Sequence, residues 1–114
     1  MSRALDRTCV RLSRMFALVV RFDLPDAGAV AAFDALVAEA APTMVESEPG
    51  TLVYNTHAVV DAPLSRIFYE VYRDRAALDE HEARPATAAF LARIRALEPS
   101  VRIEAVTPSA TNRP

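Results

Sequence analysis

The sequence predicts a single α+β domain in which helices cover one face of a four-stranded antiparallel sheet. Three observations lead to this prediction: a length of 114 residues, a core supplied by Leu, Ile, Val and Phe, and an alternation of β-rich with helix-periodic segments. One hydrophobic core is the usual outcome at this length, and the sequence contains no repeat or low-complexity linker. We therefore expect one domain at residues 15–108, an N-terminal extension at 1–14 and a C-terminal tail at 109–114.

The first half of the chain predicts one strand, at Phe16–Leu24, and one long helix after it. The strand is rich in β-branched and aromatic residues and ends at Pro25. Asp26 is placed to cap the helix, because its carboxylate can accept a hydrogen bond from a free backbone amide. Pro42 is expected to kink or split the helix, since it removes a backbone donor. An apolar stripe at helical spacing marks the buried face: Val30, Phe33, Val37, Ala40 and Met44.

The second half predicts a hairpin, two helical segments and a last strand. The run Asp61-Ala62-Pro63-Leu64 favours a turn between two strands. Asp74 can cap the helix that follows, and Pro85 suits the first turn of another helical segment. The resulting order, β-α-β-β-α-β, is the split arrangement of ferredoxin-like domains. The strands of this half are expected at Thr51–Val60, Ser65–Arg73 and Val101–Val106.

The third strand carries large apolar side chains on both faces. Alternation places Phe68, Glu70 and Tyr72 on one face, and Ile67, Tyr69 and Val71 on the other. Because the helices cover only one face of the sheet, the other face needs a different cover. A second copy of the chain, packed sheet against sheet, supplies it, so we expect a homodimer.

Composition excludes several classes of function. A formal charge of −2, with 13 basic residues that are all Arg, gives no electrostatic footprint for nucleic acid. The longest run of large apolar residues, Met15–Val20, is too short to span a membrane. Cys9 is the single cysteine, which excludes an internal disulfide and a Cys-based zinc site, and two glycines cannot form a phosphate-binding loop. We expect a cytoplasmic protein.

Two histidines are candidates for chemistry. His81 lies in the acidic run Asp79-Glu80-His81-Glu82, and is either a solvated helix residue or a proton acceptor at a sheet–helix cleft. His57 shares a strand face with Asn55, and a surface or dimer-edge position is favoured for it. No short spacing holds the two histidines together, so no metal site is expected.

Glu70 is the third candidate, because it lies in the middle of a strand that should be buried. A buried carboxylate needs a partner or stays protonated. One interpretation is an ion pair with an arginine such as Arg73, Arg66 or Arg21. In the other, Glu70 and Tyr72 place an acid and a phenol on one face of the sheet.

Three stretches together resemble the antibiotic biosynthesis monooxygenase family. Residues 48–54, Glu-Pro-Gly-Thr-Leu-Val-Tyr, are similar to its Glu-x-Gly-x-x-x-Tyr pattern at the first helix-to-strand junction. Residues 68–72, Phe-Tyr-Glu-Val-Tyr, resemble its Glu-x-Trp/Tyr signature on the third strand, and 77–81, Ala-Leu-Asp-Glu-His, its Ala-x-x-x-His pattern on a helix. The resemblance covers Phe16–Thr107.

The resemblance implies a dimeric α+β barrel that oxygenates electron-rich aromatics, such as quinols or anthrone-type compounds, with dioxygen and without a cofactor. His81 would be the base or proton shuttle, Tyr72 the donor to the substrate oxygen, and Glu70 the group that orients or polarises one of them. The substrate-binding candidates are Phe68, Tyr54, Phe90, Phe33, Asn55 and His57.

The chain departs from the family pattern at three places. Ala86 stands after Pro85 where relatives often carry a second His, and Tyr72 stands where many have Trp. Haem-degrading relatives use an Asn in the first strand, but Val20-Arg21-Phe22 offers none. Two alternatives stay open: a haem-binding or haem-degrading relative, and a non-catalytic dimeric module that binds a small ligand.

Overall fold

Four antiparallel strands form one sheet in the order β2-β3-β1-β4, with three helices against one of its faces. The computed structural model of the chain describes residues 14–109. The expected N-terminal extension, C-terminal tail and Cys9 lie outside these residues, apart from Arg14 and Ser109. The elements are β1 Phe16–Asp23, α1 Ala27–Ser47, β2 Thr51–Val59, β3 Ala62–Tyr72, α2 Arg75–Ala83, α3 Pro85–Arg95 and β4 Ser100–Val106. The predicted βαββαβ fold class is confirmed.

Two helix caps form where the sequence predicts them. The Asp26 carboxylate accepts a hydrogen bond from the Ala29 amide at 2.8 Å, and Asp74 does the same for Ala77. Pro42 does not split α1, contrary to one of the two expectations for it. Val37 and Met44, on either side of the proline, are both buried, so packing holds the helix together across the missing hydrogen bond.

The hairpin between β2 and β3 is tighter than predicted. Val59 pairs with Ala62, so the loop is Val60 and Asp61 alone. Asp61 has a positive φ of 62°, a left-handed conformation that Asp tolerates better than most residues. The expected turn residues from Ala62 to Leu64 therefore belong to β3.

The core lies between the sheet and the helices. Phe22, Phe33 and Phe68 form an aromatic cluster with ring centroids 4.9–5.6 Å apart, and all three side chains are buried. The alternation predicted for β3 is confirmed: Phe68, Glu70 and Tyr72 are buried on the helix side, and Tyr69 is 40% exposed on the opposite face, which we call the open face.

One helix, α1, meets the length and composition of a membrane span, with a mean hydropathy of 1.3. Alanines supply much of that hydropathy, and four of its large apolar side chains face the sheet, whereas Val45 is 44% exposed. Val30, Phe33, Val37 and Met44 are buried in the core. One stripe of α1 therefore packs in the core, while most of the helix surface is exposed.

Candidate active site

A cavity of about 310 Å³ opens between the inner face of the sheet and helices α2 and α3. Its lining is mostly apolar, a composition typical of sites for small organic ligands. Val101 and Ile103 on β4 line the cavity and are 48% and 61% exposed, so they lie at its mouth. Five titratable or charged side chains join the apolar lining: Tyr54, Glu70, His81, Glu82 and Arg95.

His81 reaches this cavity from α2, and one nitrogen of its ring pairs with the carboxylate of Glu48. Its Nδ1 lies 2.6 Å from Oε1 of Glu48, and the two side chains are only 6% and 7% exposed. Within residues 14–109, no side chain hydrogen-bonds Nε2, the second ring nitrogen. Because Glu48 engages Nδ1, Nε2 is the ring nitrogen left for a ligand in the cavity that His81 lines.

Two further side chains hold Glu48. The Thr51 hydroxyl donates to Glu48 Oε1 at 2.8 Å, and Arg84 Nε lies 3.7 Å from Oε2. Arg84 also donates to the Ser47 carbonyl at 2.8 Å, which fixes the guanidinium beside the end of α1. The buried carboxylate therefore has partners on both oxygens.

A register shift in β2 places Thr51 beside Glu48. Thr51 pairs with Tyr72 and Tyr54 pairs with Glu70, so three steps along β2 match only two along β3. Without the extra residue, Thr51 and Tyr54 would lie on opposite faces, because side chains alternate along a strand. The shift keeps both on the inner face, with Thr51 beside Glu48.

Close packing at Gly50 sets the distance between α2 and the connection from α1 to β2. A Cβ atom at Gly50 would lie 2.6 Å from Cβ of Ala77, one turn before His81. The Gly50 carbonyl also accepts a hydrogen bond from the Arg73 amide at 2.8 Å. The glycine thus lets α2 approach closely enough for His81 to reach Glu48.

The second polar pair is Glu70 with Tyr72, on successive inward positions of β3. The Tyr72 hydroxyl donates to Oε1 of Glu70 at 2.5 Å. Burial raises the pKa of the Glu70 carboxyl above its ordinary value, although Tyr72 and His81 act in the opposite direction. Burial and the neighbouring carboxyl also raise the pKa of the Tyr72 phenol, so it stays neutral and a donor.

The ion-pair interpretation of Glu70 is wrong. Each arginine considered for it pairs with an aspartate elsewhere: Arg66 with Asp34 at 2.9 Å, Arg21 with Asp23 at 3.1 Å and Arg73 with Asp74 at 3.6 Å. These aspartates are all more exposed than Glu70.

The aromatic candidates divide between the cavity and other places. Tyr54 and Phe68 line the cavity, and the Tyr54 ring centroid is 5.8 Å from that of His81. Phe33 lies in the core at 0% exposure, and Phe90 lines a separate cleft between α1 and α3. Tyr72 lies behind Glu70, with its ring 5.5 Å from His81.

Asn55 and His57 lie away from the cavity. They pair with Tyr69 and Ile67, which places both side chains on the open face of the sheet. Both residues are exposed there. Among the described residues, no group of three His, Cys, Asp or Glu side chains is arranged to hold a metal ion.

The two polar pairs lie within a segment that matches a known protein family. A family described as antibiotic biosynthesis monooxygenase matches residues 15–93. The chain belongs to the antibiotic biosynthesis monooxygenase family. The match contains the Glu48–His81 and Glu70–Tyr72 pairs. No curated protein matches the chain.

Solved structures give the same fold. A candidate antibiotic biosynthesis monooxygenase from Caulobacter crescentus aligns with a TM-score of 0.79 at 19% identity, over 92% of this chain and 99% of that one. SnoaB, a cofactor-independent oxygenase from Streptomyces nogalater, gives 0.74 at 22% identity, over 87% and 97%. Rv0793 from Mycobacterium tuberculosis gives 0.76 at 26% identity, over 87% and 99%.

Three residues around His81 are not predicted as site residues from the sequence. Glu48 and Thr51 occur there only within the stretch that resembles the Glu-x-Gly-x-x-x-Tyr pattern, and Arg84 belongs to none of the three stretches. One feature of the sequence does mark Glu48. It directly precedes the turn dipeptide Pro49-Gly50, which places its carboxylate at the junction between the first helix and the second strand. Nothing local in the sequence signalled Arg84.

Proposed function

We propose that this family member is a cofactor-independent monooxygenase that oxidises an electron-rich aromatic, of quinol or anthrone type, to a quinone with dioxygen. The observation that carries the proposal is the pairing of a free imidazole nitrogen with an apolar cavity. His81 Nε2 has no partner among residues 14–109, while Nδ1 is held by Glu48 at 2.6 Å. The mostly apolar lining favours an aromatic substrate over a strongly polar one.

The reaction needs only a base and a proton donor from the protein. His81 Nε2 removes a proton from the acidic carbon or phenol, and the resulting anion passes one electron to dioxygen. The two radicals combine into a peroxide, which takes up a proton and loses water. For an anthrone, the ring CH₂ becomes C=O, one oxygen atom stays in the product and the other leaves as water. Dioxygen accepts all the electrons, so no further reductant is required.

Glu70 is suited to face the substrate, with Tyr72 as its support. Glu70 lines the cavity, while Tyr72 is fully buried behind it and directs its hydroxyl at the Glu70 carboxyl. This reverses the roles implied by the family resemblance, in which Tyr72 contacts the substrate. Because burial raises the pKa of Glu70, its carboxyl holds a proton more readily than an exposed one and can donate to the developing oxyanion.

The active form is proposed to be a homodimer through the open face. Val53, Ile67 and Val71 are only half-buried there, and Tyr69 is 40% exposed. A second sheet would cover this apolar surface and leave the cavity, on the opposite side, accessible. Asn55 and His57 would then lie in the interface. A cytoplasmic location, without a membrane or nucleic-acid partner, stays a prediction.

The proposal is tested by oxygen consumption with chelator-treated protein and a panel of anthrones and hydroquinones. We expect saturable uptake above autoxidation, falling by about 10² to 10⁴ in His81→Ala, the usual contribution of a general acid or base. Asp79→Ala is the matched control, because Asp79 is exposed on the same helix. Uptake at the autoxidation rate across the panel would favour the ligand-binding module, and a Soret band on hemin titration would favour the haem-binding relative.

A further inference from the structure

We propose that Glu48 is a positioning residue for His81: it holds the imidazole in the tautomer whose Nε2 is unprotonated and faces the cavity. The inference rests on the proposed function, since it explains how His81 can act as a base. It starts from the 2.6 Å contact between Nδ1 and Glu48 Oε1. A carboxylate only accepts hydrogen bonds, so the neutral imidazole must carry its proton on Nδ1.

Two further side chains hold the Glu48 carboxyl in place. The Thr51 hydroxyl donates to Oε1, and the Arg84 guanidinium lies 3.7 Å from Oε2. Both oxygens therefore face a donor or a positive charge, and Oε1 stays within hydrogen-bond distance of His81 Nδ1.

No other acidic group competes for Nδ1 within the described part of the chain. Glu70, on β3, is engaged by Tyr72, and Glu82 follows His81 on α2 and lines the cavity. Tyr54 and Tyr72 face the ring from β2 and β3 at centroid distances of 5.8 and 5.5 Å, and burial raises the pKa of both phenols. The imidazole thus contacts one hydrogen-bonding carboxylate, from the end of α1.

Glu48 also matters after proton transfer. When His81 takes the substrate proton, the imidazolium is buried beside Glu48 and forms a charge-assisted pair with it. The same geometry orients and stabilises histidine in Ser-His-Asp sites, where a carboxylate on Nδ1 fixes the tautomer without being protonated itself. Glu48 acts through His81, and its place behind the ring keeps it from the substrate.

The direct test is nitrogen NMR of the His81 ring in the full-length wild-type protein, compared with Glu48→Gln. In wild type, at a pH where the ring is neutral, we expect the proton on Nδ1. The amide of the introduced glutamine can either accept from or donate to Nδ1, so the variant should contain both tautomers. Glu46→Gln, an exposed neighbour in α1, is the matched control and should keep the wild-type spectrum.

Kinetics give a second readout. Glu48→Gln should lower kcat by about 10² to 10⁴ while KM changes little, because the substrate does not touch Glu48. A wild-type ring protonated on Nε2 would overturn the inference even if Glu48→Gln failed to fold. Equal kcat in an active wild type and a folded Glu48→Gln would also overturn it. If the wild type oxidises no substrate, the proposed function fails, while the tautomer still decides the role of Glu48.

Discussion

The phenol of Tyr72 hydrogen-bonds the carboxyl of Glu70, two residues earlier on the same face of β3, at 2.5 Å. Both side chains are buried, and Glu70 is the one that lines the cavity. The neighbouring Glu48–His81 pair joins α1 to α2, so the two carboxyls have separate partners. Two carboxyls in such different environments can take different roles.

The first prediction concerns stability against pH in Glu70→Gln. Burial raises the pKa of folded Glu70, so the folded protein holds this proton at pH values where the unfolded chain has lost it. The contribution of Glu70 is fully present below the ordinary carboxyl pKa and is lost as pH rises through the raised value. The wild-type free energy of unfolding should therefore fall relative to Glu70→Gln across this window, by up to about 1.4 kcal/mol per pH unit.

Denaturant titrations at a series of pH values measure this difference. Glu46→Gln, an exposed substitution of the same type, should run parallel to wild type. Parallel curves for wild type and Glu70→Gln would mean that burial does not perturb Glu70.

The second prediction compares the two glycines. Gly50→Ala places a Cβ 2.6 Å from that of Ala77, so α2 must shift, which costs about 1–3 kcal/mol in thermal or denaturant unfolding. The shift also pulls His81 from Glu48 and should reduce turnover. Gly28→Ala is the control: its Cβ meets Asp26 at 3.4 Å and the helix gains an alanine, so stability should hold or rise by about 0.4–1 kcal/mol. Equal stability of the two variants would contradict the close packing at Gly50.

The third prediction concerns the proposed dimer. Tyr69→Arg puts a charge in the middle of the open face and should convert a dimer to monomers in light scattering and sedimentation, since an unpaired buried charge is costly. Val60→Arg is the matched control, because Val60 is 86% exposed at the tip of the hairpin. A wild-type protein that is monomeric at every concentration, or a Tyr69→Arg dimer as tight as wild type, would refute the sheet-to-sheet arrangement.

Local patterns were sufficient to predict the fold. The capping aspartates, the alternation on β3 and the apolar stripe on α1 each act over a few residues, and all pointed to the same βαββαβ order. The predicted start of β3 was wrong by three residues. The run from Ala62 to Leu64 contains a proline and resembles a turn, but Asp61 alone supplies the left-handed conformation that the hairpin needs.

The candidate site was predicted less completely. His81, Glu70 and Tyr72 stand out as polar groups on faces that should be buried. The pairing of Glu48 with His81 is not visible in the sequence, because the two residues are 33 positions apart and meet through the close approach of α2 at Gly50. Contacts of this kind depend on how whole elements dock, which no local pattern encodes.

The central claim is that His81 starts a cofactor-free oxygenation, and isotopically labelled dioxygen tests it most directly. Chelator-treated wild type, Asp79→Ala and His81→Ala would each turn over an anthrone in short incubations, with labelled water as the check for exchange. We predict one labelled oxygen atom in the quinone from wild type and Asp79→Ala, at a rate that falls by about 10² to 10⁴ in His81→Ala. Product that takes its new oxygen from water, or that forms equally fast without His81, would contradict the account.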